Sequence, residues 1–225
     1  MTAQELARFI DHTLLKADAT AQEVKELCTQ AVAHGFYAVC VNGCHVPLAR
    51  HLLEESDVKV ATTVGFPLGA MHTDVKRYET EAAIDAGAHE IDVVLNIGWL
   101  KEGGDSLIIR ELRDIVEAAD ERPVKVIIET ALLTREEKVR ACELIVEAEA
   151  QYVKTSTGFS RQGATIDDVT LLRSVVGPKF GVKASGAIRD TASALAMIEA
   201  GASRIGTSNG VAILQGVASA PVARF

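Results

Sequence analysis

Apolar residues recur three and four positions apart along this chain, then give way to a glycine and a short β-branched run. Thr20 with Glu23 has the form of a capping box, and Val24, Leu27, Cys28 and Ala31 follow on one helical face. Gly35 stops that helix, and residues 36–41 read as a strand. The same alternation returns at 71–86, Gly87 and 90–95, at 134–149 and 151–155, and at 191–200, Gly201 and 204–206. Further strands are expected at 59–64, 124–129 and 181–184, and an eighth at 9–14, where the pattern is weakest. Eight strand–helix units of about 28 residues each suit a βαβ repeat. Most of the strands are nearly continuous apolar runs, as expected when helices cover the sheet. No linker or composition break interrupts the pattern. The expected fold is α/β, a single (β/α)8 TIM barrel over residues 1–225 with a short extra N-terminal helix. An open doubly wound sheet is the alternative.

Composition narrows the function more than the fold. With 225 residues, 48% hydrophobic and 24% charged, the chain has the make-up of an ordinary globular domain, which excludes disorder, collagen-like repeats and a coiled coil. It carries 23 basic and 31 acidic residues, a net charge of −8, and 4% aromatics. Without a basic block, no nucleic-acid platform is expected. The first residues, Met1-Thr2-Ala3-Gln4-Glu5, lack the basic and apolar regions of a signal peptide. No apolar stretch approaches the roughly 18 residues of a membrane span. The expectation is a cytoplasmic protein without membrane partners, whose cysteines, Cys28, Cys40, Cys44 and Cys142, are thiols.

Catalytic side chains in such a barrel sit at the C-terminal ends of strands, so charged residues inside apolar runs are informative. Asp92, Lys154 and Lys183 stand out. A lone strand lysine is more often a solvated terminal residue, but two of them on consecutive strands change the odds. Neighbouring strands lie about 4.8 Å apart. Two ammonium groups at about 5 Å repel by about 3.3 kcal/mol at an effective dielectric near 20. That is enough to bring one lysine toward neutrality near pH ~8, a usable amine nucleophile. The competing reading points both heads outward to different partners. Asp92 is either a structural acid paired with an inner lysine or a proton carrier beside an imine. Lys125 and Glu129 form a second charged pair on the next strand, with Lys125 expected to face solvent and Glu129 to lie near the mouth.

Small residues after three strand ends, Thr155-Ser156-Thr157-Gly158, Ser185-Gly186-Ala187 and Gly206-Thr207-Ser208, would let backbone N–H groups approach a phosphate. Plain turn chemistry explains any one of them alone. Cys40 to His45 lacks the spacing of haem attachment, and Cys40 reads as a strand residue near the mouth. His12, His72 and the other histidines show no zinc-ligand spacing, so no metal is expected. Neither GxGxxG nor a Walker sequence is present.

Two strings, Val153-Lys154-Thr155-Ser156-Thr157-Gly158-Phe159 and Val182-Lys183-Ala184-Ser185-Gly186-Ala187-Ile188-Arg189, closely resemble the lysine motifs of the deoxyribose-phosphate aldolase family. Residues 10–16, 39–42, 63–69 and 90–94 also resemble that family, so the likeness runs in order from residue 10 to about 210. The resemblance implies a class I aldolase that uses neither metal nor cofactor. Its reaction would be reversible cleavage of 2-deoxy-D-ribose 5-phosphate to D-glyceraldehyde 3-phosphate and acetaldehyde, in deoxyribonucleotide catabolism. By matching position, Lys154 is the Schiff-base lysine, Lys183 the lysine that tunes it, and Asp92 part of the proton relay. Gly158, Ser185, Gly186, Gly206 and Ser208 fall at the phosphate, and Thr13, Cys40 and Thr157 at the sugar. The partners implied are a sugar phosphate, small aldehydes and further copies of the same chain. Two departures stand out. Phe159 occupies a position where some members carry lysine, leaving the phosphate to amides, Ser/Thr groups or Arg189. The chain ends Ala223-Arg224-Phe225, without the terminal tyrosine of some members. A transaldolase-like Schiff-base barrel is the nearest rival reading, and a non-catalytic sugar-phosphate sensor is the rival from another class.

Overall fold

Helix starts set the frame. Thr2, Thr20 and Thr134 each accept a hydrogen bond from the amide three residues on, while Glu5, Glu23 and Glu137 reach back to the cap amide. These boxes open α1 (Ala3–Ala7), α2 (Ala21–His34) and α7 (Arg135–Glu147) in a computed structural model that describes residues 1–218. Gly35, at φ 67°, ends α2 in the left-handed region open to glycine. The chain then alternates. Strand β1 (Ile10–Leu14) precedes α2, and β2 (Ala38–Val41) leads to α3 (Val46–Leu52). Strand β3 (Lys59–Val64) leads to α4 (Thr73–Asp85), and β4 (Glu90–Val94) to α5 (Ile97–Glu102) and α6 (Asp105–Ala118). After β5 (Val124–Ile127) comes α7, and after β6 (Tyr152–Lys154) comes α8 (Ile166–Val176). Strands β7 (Gly181–Ser185) and β8 (Arg204–Thr207) are followed by α9 (Thr191–Glu199) and α10 (Gly210–Ala218).

All eight strands pair in parallel in chain order and β8 closes on β1, so the sheet is a barrel and the open-sheet alternative is excluded. The short N-terminal helix is α1. Strand ends differ from expectation by one or two residues. The strand expected at 36–41 is Ala38–Val41, because Phe36 is spent packing behind the barrel. The strand expected at 124–129 stops at Ile127, because Glu129 turns left-handed at φ 51°.

The main apolar core is a sleeve between barrel and helices. Val39, Val60, Ile91, Val93, Val126, Val153, Val182 and Ile205 face it from the strands, and Leu27, Ile108, Leu112, Ile115 and Ile145 meet them from the helices. The barrel's inside is different. Beside a small cluster of Leu15, Cys40 and Ala61 with Phe66 against it, seven charged strand residues are buried: Asp11, Glu90, Asp92, Lys125, Lys154, Lys183 and Arg204. The expectation that Lys125 faces solvent is therefore corrected. It is fully buried, and its ammonium lies 2.8 Å from Glu90 and 2.6 Å from Asp92. Strand alternation explains it: Val124 and Val126 fill the sleeve, so the residue between them must point inward.

No helix among the described residues is long and apolar enough to cross a membrane. The four cysteines are free thiols, three buried and Cys44 exposed. Burial pushes the Cys28 thiol up to about 11 and Cys142 up to about 12. The terminus Ala223-Arg224-Phe225 lies outside the described residues.

Candidate active site

The C-terminal strand ends of β1, β6, β7 and β8 surround a cavity of about 280 Å³. Thr13, Lys154, Thr157, Gly158, Ser185, Gly186, Gly206 and Ser208 all line it, so eight of the eleven residues singled out from sequence meet there. Asp92 and Lys183 lie beneath it, fully buried and joined to Lys154. Cys40 pairs in register with Thr13 but is fully buried among Leu15, Ala61 and Phe66, and the cavity wall does not include it.

Register explains the meeting. Lys154 and Lys183 are Cα partners across β6 and β7, and Asp92 partners Lys125 across β4 and β5. Oδ2 of Asp92 accepts from Lys154 at 2.7 Å and from Lys183 at 2.8 Å, while Oδ1 accepts from Lys125 at 2.6 Å. Lys183 also donates to Asp11 on β1, whose other oxygen takes Arg204 from β8 at 2.9 Å. Arg204 reaches Glu90 at 3.3 Å and stacks its guanidinium 3.4 Å from the centre of the Tyr37 ring.

This connected cluster holds three carboxylates and four cationic side chains among the described residues. A buried excess charge is expensive, so the cluster balances when one base is neutral. Lys154 is the cluster lysine whose pKa is pushed down rather than up. Burial pushes its pKa down, and Lys183 adds to the fall against the pull of Asp92. For Lys183 burial works the same way, but Asp11 and Asp92 outweigh it and hold its ammonium charged above the usual lysine range. Burial would raise Asp92, yet the ammoniums of Lys125, Lys154 and Lys183 keep it ionised, well below the usual carboxylate range. Asp11 behaves likewise, lowered to about 2 by Lys183 and Arg204 against its burial. Of the cluster's lysines, Lys154 alone borders the cavity.

The wall opposite is built for close approach. A Cβ on Gly206 would lie 2.3 Å from Oγ of Ser185 and 3.0 Å from Cε of Lys183, and one on Gly163 would lie 2.3 Å from the Gly186 carbonyl. The amides of Gly158, Gly186 and Ser208 take no backbone acceptor among the described residues. Oγ of Ser185, buried and lining the cavity, has no partner there either. Together with the start of α10 two residues after Ser208, this is donor chemistry suited to an anion. Phe159 borders the same cavity with its ring edge-on to Phe66, centroids 5.2 Å apart, and Arg189 lines it too. No group of three or more His, Cys, Asp or Glu side chains among the described residues is placed to hold a metal ion.

Sequence reading missed Asp11, Glu90 and Arg204 and misplaced Lys125. Asp11 satisfies the criterion that found Asp92, a charge inside a strand, and applying it to the weakest strand would have found it, whereas Glu90 and Arg204 open their strands and escape it.

Residues 6–217 match the model of the family described as DeoC/LacD family aldolase. A deoxyribose-phosphate aldolase of Alkaliphilus oremlandii is 58% identical over 93% of this chain and 95% of its own. One of Thermococcus gammatolerans is 54% identical over 98% and 100%. Among solved structures, a tetrameric deoxyribose phosphate aldolase of Aeropyrum pernix superposes with a TM-score of 0.91 at 35% identity, covering 97% of this chain and 93% of that one.

Proposed function

This chain belongs to the DeoC/LacD aldolase family, and from that premise we propose that it cleaves 2-deoxy-D-ribose 5-phosphate reversibly to D-glyceraldehyde 3-phosphate and acetaldehyde. The observation that carries the reading is one lysine, Lys154, at the floor of a donor-lined cavity, with Asp92 and charged Lys183 directly behind it.

Neutral Lys154 attacks the C1 aldehyde of the open-chain sugar, and loss of water leaves a positively charged imine. The bond between C2 and C3 then breaks, its electrons passing into the imine as an enamine while C3 becomes the aldehyde carbon of glyceraldehyde 3-phosphate. The imine keeps its positive charge where the Lys154 ammonium would be, 2.7 Å from Asp92 in the ground state, so the ionised carboxylate stabilises it without reorganising. The C3 hydroxyl proton leaves through water to the Asp92–Lys183 pair, and the same route returns a proton to C2 of the enamine. Hydrolysis frees acetaldehyde and restores Lys154. The phosphate is held by the Gly158, Gly186 and Ser208 amides with Ser185, while Gly206 gives room; its binding energy keeps C1 over Lys154. Thr13 and Thr157 border the sugar, with Cys40 beside Thr13 on the neighbouring strand.

The chain acts as one barrel domain, residues 1–225, in the cytoplasm and as a homo-oligomer. The tetrameric Aeropyrum relative and the absence of a membrane-spanning helix among the described residues support this reading. Acetaldehyde release from deoxyribose 5-phosphate tests the assignment. The wild type is expected to produce it, and Lys154→Ala to lose at least about 10³-fold, the scale of a covalent catalyst's loss. Retained turnover in Lys154→Ala would refute the nucleophile.

A further inference from the structure

Glu129 sits where a carboxylate is least comfortable. It is 3% exposed, at the C-terminal end of β5, and its backbone is left-handed at φ 51° and ψ 67°. A non-glycine residue keeps such a conformation only where the surroundings hold it there. The neighbouring bonds do so: Ile128 donates to the Lys154 carbonyl at 3.0 Å and Thr130 to the Thr155 carbonyl at 2.9 Å, stitching both flanks of Glu129 to the end of β6. No ion pair to Glu129 exists among the described residues, so no charge of opposite sign repays its burial.

Both hydrogen bonds that the carboxylate accepts come from one residue. Oε2 takes the Thr157 amide at 3.2 Å and also the Thr157 hydroxyl, and Oε1 is buried without a partner. The Thr157 hydroxyl in turn accepts from the Phe159 amide at 3.0 Å. Thr157 is thereby committed as donor twice and as acceptor once, and the turn through Gly158, at φ 86°, is closed from below. Gly158 and Phe159 are exposed and line the cavity, and the Gly158 amide is left facing no backbone acceptor among the described residues.

The geometry points to Glu129 as a positioning residue for recognition of the substrate's anionic end: it fixes the Thr157–Phe159 turn so that the Gly158 amide is presented to the phosphate. This inference rests on the aldolase reading above. It separates two jobs that the cavity combines. The floor, Lys154 with Asp92 and Lys183, performs the carbon chemistry, and its side chains bond to one another and to Asp11 and Lys125 rather than to Glu129. The Gly158 amide of the turn serves the phosphate, so losing its anchor weakens binding of phosphorylated substrate more than that of the unphosphorylated sugar, which meets the turn at Thr157 alone.

The test is steady-state acetaldehyde release by the full chain from 2-deoxy-D-ribose 5-phosphate and, separately, from unphosphorylated 2-deoxy-D-ribose. Glu129→Ala removes the anchor. Glu129→Asp withdraws the carboxylate by about 1.5 Å, one C–C bond, while keeping its charge. Both are expected to raise KM for the phosphate at least about tenfold, the size of one lost hydrogen bond to a charged group. Their kcat on the phosphate should stay within about threefold of wild type, and kcat/KM on deoxyribose should fall by less than kcat/KM on the phosphate. Glu129→Gln keeps an acceptor oxygen for Thr157 and should restore KM to within about threefold. Should Glu129→Ala fail to fold, the Asp and Gln pair carries the comparison. Equal losses on both sugars, or an unchanged KM for the phosphate, overturn the inference while the aldolase stands. A wild-type protein that releases acetaldehyde from neither sugar removes the aldolase reading and this inference with it.

Discussion

Lys154 and Lys183 face each other across adjacent strands and share one oxygen of Asp92, yet their pKa values are pushed in opposite directions, Lys154 down and Lys183 up. The difference is the second carboxylate. Lys183 has Asp11 as well as Asp92, whereas Lys154 has Asp92 alone and a cavity on its other side. Two lysines on neighbouring strands were legible from sequence, and so was their repulsion. What sequence could not supply was the counter-charge, because Asp11 lies far away in the chain and meets Lys183 only on barrel closure. Replacing Lys183 by Leu removes a like charge and leaves Asp11 and Asp92 less neutralised, and both changes raise the Lys154 pKa. Activity needs the neutral amine, so the acid limb of kcat/KM against pH should move to higher pH. Activity at pH ~7 should fall by about 10²-fold or more. An unmoved limb would refute the coupling.

At the scale of elements, the capping box at Thr20 was read directly from sequence, since it is local. The buried pair behind α4 was not. Lys76 donates to Glu111 of α6 at 2.6 Å and to the Val94 carbonyl at the end of β4 at 2.9 Å, and Thr73 holds the other Glu111 oxygen at 3.0 Å. Both α4 and α6 read as polar, surface-type helices in one dimension, and only their packing shows which charges are inside. With Lys76 and Glu111 both buried, removing one partner strands the other. Glu111→Leu should cost about 3–5 kcal/mol in urea unfolding, and Lys76→Met with Glu111→Leu should recover most of it. A double variant no better than the single one would mean that the pair contributes by packing alone.

The molecule as a whole is an apolar sleeve around a charged axis, with the ionic cluster linking β1, β4, β5, β6, β7 and β8. The barrel was legible because its sleeve writes apolar runs into the strands; the axis was partly hidden because its charges are single residues within those runs. That axis sets an acid limit. Asp11 is lowered from its ordinary 3.8 to about 2 and Asp92 lies below its ordinary value too, so the folded state binds fewer protons than the unfolded chain as pH falls through this range. Their stabilisation is complete above the unfolded values and lost as pH drops toward 2. The melting temperature should therefore fall steeply below pH ~4, and Asp11→Asn should flatten that fall. Identical curves for the two proteins would contradict the sign of the shift.

The central claim is that Lys154, and not Lys183, becomes the imine. Incubation with deoxyribose 5-phosphate and borohydride, followed by peptide mapping of the mass increase, tests it most directly. A reduced adduct confined to the peptide containing Lys154 is the predicted result. An adduct on Lys183, or none at a substrate concentration where binding is saturated, would contradict it.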